Sequence, residues 1–297
     1  MNSPRIICFG EVLWDMLPDR NIIGGAPLNV AYHAVHLGAE SAVVSRVGDD
    51  KLGRDLVDFL KRSEVNTELI QTDPRRPTGT VRVTFPTPVS PVYEIVEGVA
   101  WDHLQSSPGI EVAVAGASAL VFGSLACRTE ENRRLLRDLL TRTDCAVFDI
   151  NLRKPFYDKA LILDLLSRTD ILKLNDEELE LVAEWLDLEG TWQEQLEQLY
   201  RRYDLHAAVL TMGADGAACL DSTGLSMQPC YAVTVADTIG AGDTFLAAFL
   251  TRYLAGEPAS EALDFAVAAG AFTASQTGGT PEYTVEQVEE LRSGAVL

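Results

Sequence analysis

The segment Asp237-Thr238-Ile239-Gly240-Ala241-Gly242-Asp243 holds the residue types best suited to chemistry. Glycines at 240 and 242 leave the backbone open, so successive N–H groups can converge on an anion at the positive end of the helix that follows. A carboxylate at Asp243 would repel a bound phosphate unless a reacting hydroxyl stood between them. Phosphoryl transfer needs that arrangement: donors that hold the transferring group and a carboxylate that receives the acceptor's proton. The plainer reading is a glycine-rich helix start with an acid complementing the dipole, and for a lone Gly-Ala-Gly-Asp the two weigh equally. The sequence contains no Gly-x-x-x-x-Gly-Lys-Ser/Thr run, and no Gly-x-Gly-x-x-Gly after its first apolar run. Neither a Walker-type phosphate loop nor a dinucleotide fold is indicated.

Those residues need a framework, and the apolar pattern supplies one. Short apolar runs at 6–9, 42–47, 119–122, 146–150, 171–174 and 207–210 read as buried strands. Amphipathic stretches lie between them. Pro27 opens one whose Val30, Ala31, Ala34 and Val35 share a face, and Gly38 stops it. Thr129 caps another, with Glu130 and Glu131 in its first turn and Leu135, Leu136, Leu139 and Leu140 inward. The alternation predicts an α/β fold with a mostly parallel sheet flanked by helices. A strand at 232–235 is expected to lead into the 237–243 segment. Beyond it the chain turns helical over 242–254 and about 260–276, and Thr284 with Gln287 has capping-box spacing for a last short helix. Residues 80–85 and part of 92–97 alternate with period 2 around Pro86, Pro88 and Pro91, which predicts an antiparallel hairpin inserted into the α/β chain. With no repeat and no linker, a single domain over 1–297 is expected, the hairpin forming a small lid.

The 297 residues carry 24 Lys+Arg against 44 Asp+Glu, a formal net charge of −20. That balance excludes a general nucleic-acid binder, whose phosphate contacts need a basic face. It leaves room for a nucleotide ligand held by backbone amides and a metal. No apolar run approaches the roughly 20 residues that span a bilayer, and the start is too short for a signal-peptide core before Glu11 and Asp15. The cysteines at 8, 127, 145, 219 and 230 are odd in number, scattered and without Cys-x-x-Cys spacing, which reads as reduced thiols in a cytoplasm. With four histidines and none near a cysteine pair, a zinc site is not expected.

Taken whole, the 237–243 segment resembles the second signature of the ribokinase-like (PfkB) carbohydrate kinases, Asp/Asn-Thr-x-Gly-Ala-Gly-Asp. Gly24-Gly25-Ala26-Pro27-Leu28-Asn29-Val30-Ala31 resembles their N-terminal Gly-Gly-x-x-x-Asn-x-Ala. Gly48-Asp49-Asp50 with Gly53 is similar to a third recurrent element, and Asn175-Asp176-Glu177-Glu178 to their Asn-x-x-Glu, although alone it reads as a helix N-cap followed by first-turn acids. These elements stand in family order from residue 10 to about 280. The resemblance implies a helix-flanked sheet with a small β-strand lid closing over a sugar, the lid segments lying at about 13–23 and 79–101. It implies Asp243 as catalytic base, Gly240, Ala241 and Gly242 as the anion hole for the transferring γ-phosphoryl group, and Asp15, Gly25 and Asn29 as partners of the sugar hydroxyls. It places Glu178 on water around Mg²⁺ and Asn175 beside the phosphates. Thr211 and Gly213 would approach ATP, Gly216 would allow the turn into the next strand, and 268–279 would wall the adenosine. Asp237, Thr238 and the carbonyls near 273–278 correspond to a monovalent-cation loop, so K⁺ joins ATP and Mg²⁺ as implied cofactors. Here the chain departs from ribokinase, which tends to be basic where this sequence has Gln276-Thr277-Gly278-Gly279.

Several stretches are more similar to bacterial fructokinases than to ribokinases: Gly10-Glu11-Val12-Leu13-Trp14-Asp15, Val99-Ala100-Trp101-Asp102 and Asp149-Ile150-Asn151-Leu152-Arg153. Arg153, at the end of a strand, could reach a hydroxyl or a phosphate; a surface arginine paired with a neighbouring acid explains it equally. Trp101 is expected to stack on a sugar face, with hinge packing as the plain alternative. Tyr93 and Glu97 face the cleft in one register of the lid strand. The resulting expectation is an ATP-dependent kinase making fructose 6-phosphate from D-fructose, Asp243 taking the proton of the C6 hydroxyl. Another sugar or sugar acid, such as 2-keto-3-deoxygluconate or ribose, is the nearest alternative; a catalytically silent sugar-binding protein of the same fold stands further off. Val81, Val83 and Phe85 alternate as an interface strand would, so a homodimer through the lid is expected, although burial over the protomer's own sugar predicts the same pattern.

Overall fold

Strands that are apolar at nearly every position must be covered on both faces, and in this protein they are. The computed structural model describes residues 3–87 and 90–294, and for 83–87 and 90–93 the backbone alone. In chain order the strands are β1 (Arg5–Phe9), β2 (Leu13–Met16), β3 (Asn21–Gly24), β4 (Glu40–Gly48), β5 (Ile70–Asp73), β6 (Gly79–Thr87), β7 (Ser90–Ile95), β8 (Ala119–Gly123), β9 (Ala146–Asp149), β10 (Ile171–Asn175), β11 (Ala207–Thr211), β12 (Ala217–Asp221) and β13 (Gly224–Gln228). The helices are α1 (Ala26–His36), α2 (Lys51–Arg62), α3 (Pro108–Ala115), α4 (Glu130–Leu140), α5 (Lys159–Leu166), α6 (Asp176–Leu186), α7 (Trp192–Arg202), α8 (Ala241–Tyr253), α9 (Ala259–Ala274) and α10 (Val285–Arg292).

The main sheet has nine strands in the order β13-β12-β11-β10-β9-β8-β1-β4-β5. Neighbours from β11 to β5 run parallel, and β12 and β13 add an antiparallel edge. Alternate residues of β1 sort into two cores. Ile6 and Cys8 pack with α1, α2, α8, α9 and α10, whereas Ile7 and Phe9 pack with α3 to α7. The chain winds from β1 out to β4 and β5, then returns to lay β8 on the other side of β1. That reversal opens a crevice beyond the carboxyl ends of the strands, the usual ligand position in an open α/β sheet.

One expectation about elements needs correction. Residues 232–235 form no strand. The amides of Ala236 and Asp237 bond instead to the carbonyl of Ala274 at the end of α9, and Val235 is exposed, so a helix end rather than a neighbouring strand holds this segment. The 13–23 stretch is a hairpin of two strands, closed at Pro18-Asp19 by a bond from the Leu17 amide to the Arg20 carbonyl (2.9 Å).

This hairpin and the one predicted at 80–97 form a single four-stranded sheet, β3-β2-β6-β7, in which β2 and β6 run parallel. Leu13 and Val81 are its buried core, with Leu17 and Ile95 against them. The side chains of Val83, Phe85 and Tyr93 lie outside the described residues. Four cysteines are buried and Cys230 is exposed, all unpaired. Among the described residues no helix is long and apolar enough to cross a membrane.

Where β7 returns to the main body, Trp101 is completely buried. The Arg128 guanidinium lies 4.0 Å over its ring and bonds both carboxylate oxygens of Asp102 (2.6 and 2.8 Å) and the Val96 carbonyl (2.7 Å). Asp102 also accepts from the amides of Gly98 and Val99. A Cβ on Gly79 would stand 2.2 Å from the indole nitrogen, so β6 can begin there only as glycine. The expectation that Trp101 stacks on a ligand is therefore corrected: its ring fills the base of the small sheet. The Arg128–Asp102 side chains are only 4% and 2% exposed, so Asp102→Ala leaves a buried uncompensated cation. We expect a loss of about 3–5 kcal/mol in urea unfolding; a loss under about 1 kcal/mol would mean that the pair does not secure this junction.

Candidate functional site

Asp50, Ser107, Thr129, Asp158, Asn175 and Thr191 cap α2 to α7 with their side chains. α8 begins differently. Its N-cap is Gly240, in the left-handed region at φ 78°, and no side chain caps its first turn; the Ala241 amide bonds the Thr238 carbonyl (3.3 Å), while those of Gly240, Gly242 and Asp243 have no partner among the described residues and can meet a ligand. Space also demands glycine, because a Cβ on Gly240 would lie 2.6 Å from the Gly279 Cα and carbonyl oxygen. One turn into the helix, Asp243 Oδ2 accepts a hydrogen bond from Asn29 Nδ2 of α1 at 2.8 Å.

These groups line a cavity of about 570 Å³ between the small sheet and the carboxyl ends of the main strands. Its lining includes Glu11, Asp15, Gly25, Asn29 and Arg153, together with Lys173, Asn175, Thr211, Thr238, Gly240, Gly242 and Asp243. Burial, reinforced by the charge of Asp149, raises the Asp243 carboxyl to about 6 against the pull of Asn29, Lys173 and Arg153. Burial likewise lifts Glu11 to about 7 and Asp15 to about 6, with Arg153 opposing both. Among the described residues, Glu11 Oε2 and Asn29 Oδ1 are buried without hydrogen-bond partners. An unpaired buried polar atom costs about 1–3 kcal/mol, so both are acceptors waiting for a donor. Lys173 bonds both oxygens of Asp149 (2.9 and 3.1 Å). Burial works against its charge, but Asp149 and Glu178 outweigh it and hold the ammonium protonated.

The remaining sequence-predicted residues divide. Asn175 caps α6 through its bond from the Glu178 amide (2.8 Å), and Glu178 answers by accepting from the Asn175 amide (3.0 Å). The other Glu178 oxygen accepts from the Leu152 amide (2.9 Å). The plain N-cap reading is thus realised, yet Asn175 still faces the cavity, and each Glu178 oxygen keeps one lone pair. Asp237 uses one oxygen on the Ile239 amide and the other on the Gly278 amide, clipping two loops together. Arg153 is exposed and pairs with no acid among the described residues; it donates to the Leu152 carbonyl at 3.0 Å. Gly213 and Gly216 do not line the cavity. Gly216 turns β11 into β12 at φ 94°, where a Cβ would meet the Gln228 carbonyl at 2.0 Å. Trp101 does not reach the cavity either.

Sequence reasoning overlooked Glu11, Asp149 and Lys173 as site groups. The available signal was a charge inside or just after an otherwise apolar strand run. A paired substitution checks the contact behind the α8 terminus. Gly278 has φ 83° with open space at its Cβ position, so Gly278→Ala carries only the left-handed penalty of about 1–2 kcal/mol. Gly240→Ala should cost distinctly more in thermal unfolding, and equal costs would contradict the close approach to Gly279.

A family model described as pfkB family carbohydrate kinase matches residues 8–284. The chain is 29% identical to a probable fructokinase-5 of Arabidopsis thaliana over 94% of each chain. It is 27% identical to a 2-dehydro-3-deoxygalactonokinase of Haloferax volcanii over 98% of each. The solved structure of fructokinase with bound ATP from Xylella fastidiosa shares the fold, with a TM-score of 0.85 over 98% of both chains at 23% identity. Since the family match runs through both strands of the first hairpin and on past the end of α9, the chain belongs to the pfkB family of carbohydrate kinases.

Proposed function

We propose that this kinase transfers the γ-phosphoryl group of ATP to the C6 hydroxyl of D-fructose, giving fructose 6-phosphate. One observation carries the choice of a neutral sugar. Beside Arg153, which pairs with no acid among the described residues, the cavity presents two carboxyl groups, Glu11 and Asp15. Sugar hydroxyls can donate to Glu11 Oε2 and Asn29 Oδ1, whereas a sugar acid would bring a further negative charge beside Glu11 and Asp15. The relatives named as fructokinases support the same choice, and the Haloferax relative makes a keto-deoxy sugar acid the alternative to test.

In this reading Asn29 aims the Asp243 carboxylate, which takes the hydroxyl proton as the oxygen attacks phosphorus in line. The amides at 240–242, of which Ala241 would exchange its bond to the Thr238 carbonyl for the ligand, hold the charge that develops on the transferring group. Asn175 and Thr211 lie along the nucleotide, and Arg153 reaches the substrate from the end of β9. Mg²⁺ bound to the nucleotide phosphates would neutralise their charge, with Glu178 holding a water of its shell through its remaining lone pairs. K⁺ would sit by Asp237, Thr238 and the carbonyls at 273–278. The four-stranded sheet, within segments 13–23 and 79–101, serves as the lid of a single domain and excludes water when closed.

The first test is ADP release with ATP·Mg²⁺ against fructose, ribose, 2-keto-3-deoxygluconate and 2-keto-3-deoxygalactonate, with and without K⁺. Fructose should give the highest kcat/KM, and Asp243→Asn should lower turnover by at least about 10²–10⁴. A preference for either sugar acid would discard fructose and keep the mechanism; full turnover by Asp243→Asn would discard the base. A base must be ionised, so kcat/KM should fall as pH drops through about 6, the value to which burial raises Asp243. Glu11→Gln should leave that limb in place; a limb that moves with Glu11 assigns the titration to the wrong carboxyl.

A further inference from the structure

α1 presents Asn29, Tyr32 and His33 at i, i+3 and i+4, a spacing that sets them on one side of the helix. Asn29 holds Asp243, and the other two reach the loop after α9. Tyr32 Oη donates to the Pro281 carbonyl (2.9 Å), and His33 Nε2 lies 2.9 Å from the Gly279 carbonyl. His33 is fully buried, and its Nδ1 lies 2.8 Å from the Oη of Tyr283, itself 7% exposed. The proton positions follow from the partners. A carbonyl oxygen only accepts, so Nε2 carries the hydrogen; Nδ1 of the neutral ring then accepts, and Tyr283 donates. Burial keeps the ring neutral, pushing its pKa down to about 4. Gly279 is also the residue against which Gly240 packs. Contacts therefore run from Tyr283 through His33 and Gly279 to the open terminus of α8.

We propose that His33, with its tautomer set by Tyr283, is a positioning residue for the anion hole: it fixes the Gly279 backbone behind Gly240, so that the amides at 240–242 keep their aim. A buried histidine with both nitrogens satisfied is ordinarily core. This one differs because its acceptor is the backbone wall of the hole. The inference rests on the phosphoryl-transfer reading of residues 240–243, but amide exchange tests it without turnover.

The variants are His33→Leu, His33→Gln, Tyr283→Phe and the combination of His33→Gln with Tyr283→Phe. A glutamine amide can donate to the Gly279 carbonyl without needing Tyr283 to choose a tautomer. His33→Leu should lower kcat about 10- to 10²-fold, as small misplacements of a reacting group do, with the sugar KM within about threefold of wild type. His33→Gln should recover most of that loss. Tyr283→Phe should lower kcat about 3- to 10-fold in the wild-type background and have little effect in the His33→Gln background. Amide hydrogen exchange at 240–242 and 278–280 should quicken in His33→Leu and Tyr283→Phe and stay near wild type in His33→Gln. A folded Tyr283→Phe with unchanged kcat and exchange, equal losses in His33→Leu and His33→Gln, or a loss confined to KM would each overturn the proposal. If the wild type phosphorylates no sugar, the kinase reading fails separately, and exchange alone decides the role of His33.

Discussion

The contact between Gly240 and Gly279 is the constraint on which the rest of the site depends. Backbone meets backbone there, with no room for a side chain on Gly240. The consequence is a helix that starts on a left-handed glycine and leaves its first amides without a side-chain partner. An uncapped terminus is a weakness in an isolated helix. Here α8 is buried along most of its length against α1 and α9, and tertiary packing supplies the stability that a cap would otherwise contribute. That end can therefore stay open without fraying.

Around that end the protein concentrates negative charge and then tempers it. Burial and the nearby Asp149 raise the cost of ionising Asp243, while Lys173, locked on Asp149, offsets part of it. Asn29 adds a directed hydrogen bond rather than another charge. The carboxyl at 243 is thereby held near the pH at which a base is both ionised and willing to take a proton. The main sheet supplies the geometry, because its reversal at β1 brings the ends of β1, β9, β10 and β11 to one crevice.

Much of this was readable from residue types. Runs such as 119–122 are apolar throughout and buried on both faces, which marks them as strands, and Thr129 and Asn175 cap helices as their chemistry dictates. β13 was not readable, because Leu225 and Met227 are exposed and give an edge strand no apolar signature. Residues 232–235 look like a strand but have only a helix end to bond to. Trp101 has a ring suited to sugars, yet an arginine on one side and a glycine strand start on the other enclose it. Glu11 and Lys173 were hidden by the apolar residues around them, since one sequence cannot say whether a charge in a strand points to a cleft or to a partner. Nothing in the residue pattern singles out His33; its place follows only from Gly279 beside it.

The bond between Asn29 and Asp243 joins residues 214 positions apart in the chain. β1, near the start, lies inside the sheet, third from its β5 edge, and α8 must come back from late in the chain to pack beside α1. Such long-range pairing is slow to form, because the chain must close large loops before any contact rewards it. During synthesis the N-terminal strands and α1 emerge well before their partner helix exists, so the chain can collapse and acquire much of its sheet while the proposed base and its orienting amide are still apart. Competence for chemistry then arrives as a late event of folding, and a chain that ends before α8 lacks the pair altogether.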